Sequence, residues 1–335
     1  MRRRLQTATV LLATALVGVG LLGCDRGGPS GPTTKEEARS RITGSADVLR
    51  RAVVDFGSSP LANMFGGVVG ESGMAAEKKA LISSLGAVLD TTGGTFNYDA
   101  STGVYVWNEA DRAWTQERPA DSLILRFPAA LEPSSSENNG TFTLGAYETK
   151  SIPFGGSAGR VPTQLEASLS VDESKVFRVR LKDVDFSAVL GIPQSFALET
   201  TVPPLSYSGS LEAPGGASYR YRDRLENDGQ LVTTSNASVD VSPDGGGEGA
   251  IGRVEGMTQI GQDLTVEYTA EIGTLVNLEG ASAQDINDTI DIRVLQEGEQ
   301  VATLRYDAPA EQVVVVYPDG ETEPLPDLLR DLGGR

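Results

Sequence analysis

Apolar residues recur along this chain with two different periods, and the switch between them marks its organisation. Thr34-x-x-Glu37 reads as a capping box, and Ala38, Ile42, Leu49, Val53 and Phe56 follow at helical spacing. They predict a helix over 35–56, weakened by Gly44, with Arg39, Arg41, Arg50 and Arg51 on its solvated side. Residues 57–73 hold five glycines around Leu61, Met64, Phe65, Val68 and Val69. A second amphipathic helix is predicted over 74–90, with Leu81, Ile82, Leu85, Val88 and Leu89 on one face, stopped by Thr91-Thr92-Gly93-Gly94.

From Thr95 the period becomes two. Phe96-Asn97-Tyr98, Gly103 to Trp107, Ala113 to Thr115 and Ser122 to Phe127 read as four short strands separated by turn-rich segments. Longer alternating runs follow: Leu165/Ala167/Leu169/Val171, Phe177/Val179/Leu181, Phe196/Leu198, Leu205/Tyr207 and Tyr219/Tyr221. Their partner positions carry Arg178, Arg180, Arg220 and Arg222, so one wall of each strand is apolar and the other wet. Further strands are predicted at 264–268, at 290–295 and 301–306 paired across Glu297-Gly298-Glu299, and at 313–317 before Pro318-Asp319-Gly320. Pro326 to Leu332 predicts a last short helix. Strands without intervening helices predict a mainly β fold: a large antiparallel meander, compatible with a curved half-barrel, behind a helical amino-terminal segment. The expected divisions are a helical segment over 34–93, a β body over 94–243, a flexible break at 244–249, and further hairpins over 250–335 packed on the same body.

The first 33 residues follow neither period. Met1-Arg2-Arg3-Arg4 is a basic start, and Ala8 to Leu22 is an uncharged apolar run. That run is shorter than the roughly 20 residues a membrane-crossing helix needs and suits the core of a cleaved signal peptide over 1–23. It ends Leu21-Leu22-Gly23-Cys24, which resembles the lipobox of bacterial lipoproteins. The resemblance implies a diacylglycerol thioether on Cys24, cleavage before it, and acylation of the new amino group. Residues 24–33, rich in Gly, Pro and Ser, then read as a lipidated tether. Asp25 resembles an inner-membrane retention signal of enteric bacteria, and inner and outer membrane both stay open.

Composition narrows the chemistry. Histidine is absent and Cys24 is the single cysteine, which removes Ser-His-Asp and Cys-His nucleophile systems, imidazole metal sites, zinc clusters and intramolecular disulfides. With 28 basic and 46 acidic residues the chain carries −18, and −21 once Arg2, Arg3 and Arg4 leave with the signal peptide. Such a surface repels nucleic acid and anionic lipid head groups, so no nucleic-acid partner is expected. Only 6 of the basic residues are Lys, which fits solubility in high salt or an arginine-favouring genome.

Few motifs carry chemistry. Gly18-x-Gly20-x-x-Gly23 matches a dinucleotide fingerprint but lies inside the signal peptide. Gly155-Gly156-Ser157-Ala158-Gly159 matches a nucleophile elbow but has no histidine to serve as base and sits between strands. Asp90-Thr91-Thr92-Gly93 is a helix stop rather than an aspartic-protease motif. Asp183 and Asp185 form a carboxylate pair that a bulge would turn to water. Asp285, Asn287, Asp288 and Asp291 offer oxygen ligands in a loop without the calcium-loop spacing, and Trp107 with Trp114 offers either a sugar platform or core. No cofactor, metal or catalytic residue is expected; the one site residue is Cys24.

The stretches Asn97–Phe127 and Pro162–Val202 resemble uncharacterised lipoproteins of Bacteroidota-like bacteria, a resemblance that implies no activity. Three functions follow as expectations. The first is a non-catalytic envelope lipoprotein with a structural or protein-interaction role, anchored by acyl chains on Cys24. The alternative is a carrier of a lipid-like apolar ligand, resembling the half-barrel of LolA/LolB-type carriers, with Met64/Phe65 as a lid. The third is a carboxylate-based glycan hydrolase.

Overall fold

The computed structural model describes residues 34–62, 81, 83–89, 96–129, 137–154, 157–187, 193–214, 218–242, 250–272 and 282–333. Residues 1–33, with Cys24, lie outside them. So do Met64 and Phe65, most of the predicted helix 74–90, Asp90 to Gly93, Gly155, Gly156 and the expected break at 244–249.

The amino-terminal helix is two helices rather than one. Helix α1 (Lys35–Ser45) is capped by the Thr34 hydroxyl, which accepts from the Glu37 amide as the capping box predicts. It ends at Ala46, and α2 (Asp47–Gly57) follows directly. The break has a tertiary cause: the Ser45 hydroxyl accepts from the Gln296 side chain, and Val48 sits against Gly261. The expected face is corrected as well. Ala38 and Ile42 are buried as predicted, but Val53 and Phe56 are exposed. In the described part of the second helical segment Leu81 and Ser83 are α-helical and Ser84–Ala87 is a 3-10 turn, with Leu81 and Val88 buried.

Strand formation begins later than the alternation predicts. Tyr98 opens a one-turn helix α3 (Tyr98–Ser101), because the Asn97 side chain accepts from the Ala100 amide and caps it. Strands β1 (Gly103–Asn108), β2 (Ala113–Arg118), β3 (Leu123–Phe127), β4 (Gly140–Phe154), β5 (Ser157–Val171), β6 (Ser174–Phe186) and β7 (Pro193–Val202) then follow. Next come β8 (Leu205–Glu212), β9 (Ser218–Asn227), β10 (Gln230–Ser242), β11 (Ala250–Ile260) and β12 (Leu264–Ala270). After α4 (Ala283–Thr289) come β13 (Ile290–Gln296), β14 (Glu299–Asp307), β15 (Gln312–Val316), β16 (Thr322–Pro324) and α5 (Leu325–Gly333). The fold is mainly β. Among the described residues sixteen strands hydrogen-bond in the order β16-β15-β14-β13-β12-β11-β10-β9-β8-β7-β6-β5-β4-β3-β1-β2, a meander in which each strand from β3 to β16 neighbours the next in sequence. One pair departs from the expected antiparallel pattern: β3 lies parallel to β1, with Gly103 opposite Leu123 and Val106 opposite Arg126.

Turn chemistry sets the registers. Two-residue connections with positive φ at both positions, Asp228-Gly229 and Glu297-Gly298, match the right-handed strand twist and fix the hairpins β9–β10 and β13–β14. The β15–β16 hairpin closes on Pro318-Asp319-Gly320 as predicted, with the Gly320 amide donating to the Tyr317 carbonyl.

The chain divides into two compact units, Val54–Ser208 and Met1–Val53 with Gly209–Arg335, the divisions falling within α2 and within β8. In the first, Val88, Leu123, Leu125, Leu144 and Ala167 form the buried core, with Leu85, Leu89, Phe96, Trp114, Tyr147 and Leu165 packed around it. Its β4–β5 hairpin has fifteen-residue strands, each about 50 Å long at ~3.3 Å per residue, with bulges at Leu144/Ala146 and Glu148/Thr149. In the second unit, α1 and α5 cover the sheet, and Ala38, Ile42, Val294, Val301, Val315, Tyr317 and Leu328 share one core. A smaller cluster joins Ala237, Val254, Tyr268 and Ala270.

Candidate functional site

Within the unit 54–208, strands β5, β6 and β7 form a wall with two chemically distinct faces. Their register places Leu165, Leu181 and Leu198 in one row and Ala167, Val179 and Thr200 in the next. Of these, Leu165 and Val179 pack against the core of this unit, while Leu181 and Leu198, like Phe196 further along the same face, are half-buried. The opposite face is a ladder of charge. Arg178 and Arg180 both donate to Glu166, at 2.7 and 3.1 Å; Arg180 also approaches Glu199 at 3.6 Å, and Lys182 donates to Glu199 at 3.0 Å. Hydrogen bonds from Arg178 and then Arg180 hold the Glu166 carboxyl below its ordinary value, and Lys182 does the same for Glu199. The ionic face therefore satisfies itself, while the apolar face keeps large side chains within reach of solvent.

Within the other unit, the first described helix is held at its amino end by the β15–β16 hairpin. The Lys35 amide donates to Asp319, and the Lys35 ammonium lies 3.6 Å from Glu321 and 6.0 Å from the centre of the Tyr317 ring. Arg39 pairs with Glu323 at 3.1 Å, and Glu323 accepts at 2.6 Å from the hydroxyl of Tyr317, which is 2% exposed. Burial, with the Glu323 hydrogen bond second, raises the Tyr317 phenol far above its ordinary value. The chain leaving toward Cys24 is thus rooted on a fixed point of the sheet.

The sequence candidates fall into place as follows. Trp107 and Trp114 face each other across β1 and β2 with ring centres 5.5 Å apart, edge to face. Trp107 is buried and donates to Glu109 at 2.7 Å, which is core packing rather than an open platform. Asp183 and Asp185 lie at a bulge between β6 and β7, where Asp183 adopts a positive φ and both residues are exposed. Asp185 pairs with Lys150 at 2.9 Å, which lowers its pKa. The loop expected around Asp285 is helix α4. There Asp285 accepts from the Ser282 backbone and hydroxyl as the capping partner, an arrangement that holds its pKa low. Asn287 instead bonds both backbone groups of Tyr306, and Asp291 pairs with Arg293. Each member of that quartet except Asp288, which Gln284 approaches, is therefore held by a separate structural task. Ser157 opens β5 opposite Phe154, in a strand rather than a strand-to-helix elbow.

One constellation escaped the sequence reading. Thr258 donates to Ser235 at 3.0 Å and Ser235 to Asp223 at 3.1 Å, a polar row across β11, β10 and β9. Its signal was a polar residue at an inward position of each alternating strand, beside Tyr221, Ala237 and Gly256. Next to it, burial and then the Asp223 charge push the Tyr268 phenol up to about 12.

Among the described residues no group of His, Cys, Asp and Glu is arranged to hold a metal ion, and no helix is long and apolar enough to cross a membrane. Compared with protein-family models, curated proteins and solved structures, the chain matches none.

Proposed function

We propose that this chain is a non-catalytic bacterial envelope lipoprotein. Acyl chains on Cys24 hold it on a membrane, and the apolar wall of β5–β7 receives a protein partner. The lipobox-like Leu21-Leu22-Gly23-Cys24 behind a short apolar run supports the anchor. The half-buried Leu181 and Leu198, which continue the row that Leu165 begins on the core and are backed by an ion ladder within the chain, carry the interaction reading. Apolar side chains left partly wet on one face of a sheet favour association, because covering them removes apolar area from water. The opposite face has its charges compensated within the chain and offers little to an ionic partner.

A photo-reactive residue placed at Leu198 in the full chain, in its own envelope, tests this. The expected result is a discrete protein adduct at 198 and none at Thr201, on the opposite face of β7. Absence of an adduct at 198 overturns the interaction reading, and adducts of lipid alone replace it with the carrier.

A further inference from the structure

Helix α2 has an apolar surface that its own packing does not use. Ala52 is buried and Val48 lies against Gly261, yet Val53 is 71% exposed, Val54 64% and Phe56 46%. Arg50 and Arg51 are exposed beside them, Arg50 paired with Asp47. Three large apolar side chains exposed within about one turn of a helix are unusual on a wet surface.

Charge distribution indicates what covers them. Residues 25–57 carry six basic and five acidic residues, whereas residues 58–335 carry 19 basic and 41 acidic. Nearly the whole negative charge therefore lies beyond α2. The stretch between Cys24 and Gly57 is the part of the mature chain that anionic headgroups do not repel. Chain length adds a second argument. The eleven residues from Cys24 to Lys35 span at most about 40 Å when extended, so α1 and α2 stay close to whatever surface holds Cys24.

We propose that the exposed face of α2 lies on the lipid bilayer that anchors the protein, with Val53, Val54 and Phe56 entering the headgroup boundary and Arg50 and Arg51 among the headgroups. Short amphipathic helices bind interfaces in this way, by apolar burial together with basic residues at headgroup level. A second attachment beside the acyl chains fixes which side of α2 faces the membrane. The proposal rests on the lipoprotein reading.

The test uses the full acylated chain in vesicles of phosphatidylethanolamine and phosphatidylglycerol. Cys24 is the single cysteine and its sulfur is consumed by the thioether, so an introduced cysteine is the one free thiol. Phe56→Cys and, as control, Asp228→Cys in the exposed β9–β10 turn are labelled with an environment-sensitive fluorophore. Nitroxide-bearing lipids are expected to quench the label at 56 several-fold more than the label at 228, with blue-shifted emission at 56. Equal quenching at both positions on a chain shown by mass to be acylated overturns the proposal. So does energy transfer between labels at 56 on neighbouring copies without lipid quenching, which assigns the face to self-association. A wild-type chain whose Cys24 takes the thiol label is not acylated, and that result removes the lipoprotein reading itself.

Discussion

Tyr317 and Tyr268 show how single buried polar groups constrain this molecule. Both phenols are held protonated beyond their ordinary value, Tyr268 up to about 12, with burial the first cause in each. A raised folded-state pKa contributes stability that is complete below the unfolded value near 10 and is lost as pH climbs through the folded value. Thermal melts are therefore expected to hold steady to about pH 10 and then fall, and Tyr317→Phe is expected to flatten part of that fall. An alkaline limb unchanged in Tyr317→Phe would separate this phenol from the effect. Gly256 makes a second residue-scale case. A Cβ there would meet the Tyr268 hydroxyl and the Asn236 carbonyl, the latter at 2.7 Å, so the ring lies across the glycine. Gly256→Ala is expected to destabilise by about 1–3 kcal/mol in denaturant titration, as overpacking does. Leu123→Ala, at a side chain 1% exposed, is expected to remove about 2–5 kcal/mol by the same measurement. Burial of Leu123 was legible from strand alternation. The Gly256–Tyr268 contact was not, because it depends on how β11 and β12 align.

At the scale of elements, the two-residue period revealed most strands, and Glu297-Gly298 and Pro318-Asp319-Gly320 revealed their hairpins. What stayed hidden came from long-range contacts. The spacing of Ile42, Leu49, Val53 and Phe56 continues unbroken across Ala46, so the division between α1 and α2 is invisible without Gln296 and Gly261. The parallel pairing of β3 with β1 depends on the route of residues 119–122, which carries no periodic signal. Helix α4 did have a local signal, Ser282-x-x-Asp285, which a reading of the acids as ligands obscured. Two expectations belong to this scale. The Arg39–Glu323 pair tying α1 to β16 is expected to show a coupling of about 1 kcal/mol in a double-mutant cycle with Arg39→Met and Glu323→Gln. The ladder on β5–β7 is expected to matter less, because its members are more than a third exposed: Glu166→Gln is expected to cost under about 1 kcal/mol, and less at high salt. Since Glu166 and Glu199 have lowered pKa values, that contribution is present above the ordinary carboxylate value and fades as the pH falls through the depressed ones.

At the scale of the whole molecule, the single cysteine and the charge distribution carry the functional reading. On the lipoprotein reading proposed above, a chain of −21 is not drawn to a membrane by its overall charge, so residence there rests on the acyl chains. Each buried methylene contributes about 0.8 kcal/mol, and two or more chains make that attachment stable. On the same proposal the β body beyond α2 is an acidic scaffold that meets a partner through the half-buried Leu181 and Leu198. The sequence alone pointed to the anchor, because the lipobox is a local motif. The wall emerged only with the register of β5, β6 and β7, which sets Leu165, Leu181 and Leu198 side by side. The most direct test is the intact mass of the amino-terminal peptide from membrane-extracted protein. The account predicts a peptide beginning at Cys24 with acyl groups on its sulfur and amine, and an unprocessed chain in Cys24→Ala. An unmodified Cys24, or a peptide that retains residues 1–23 in the native chain, would contradict it.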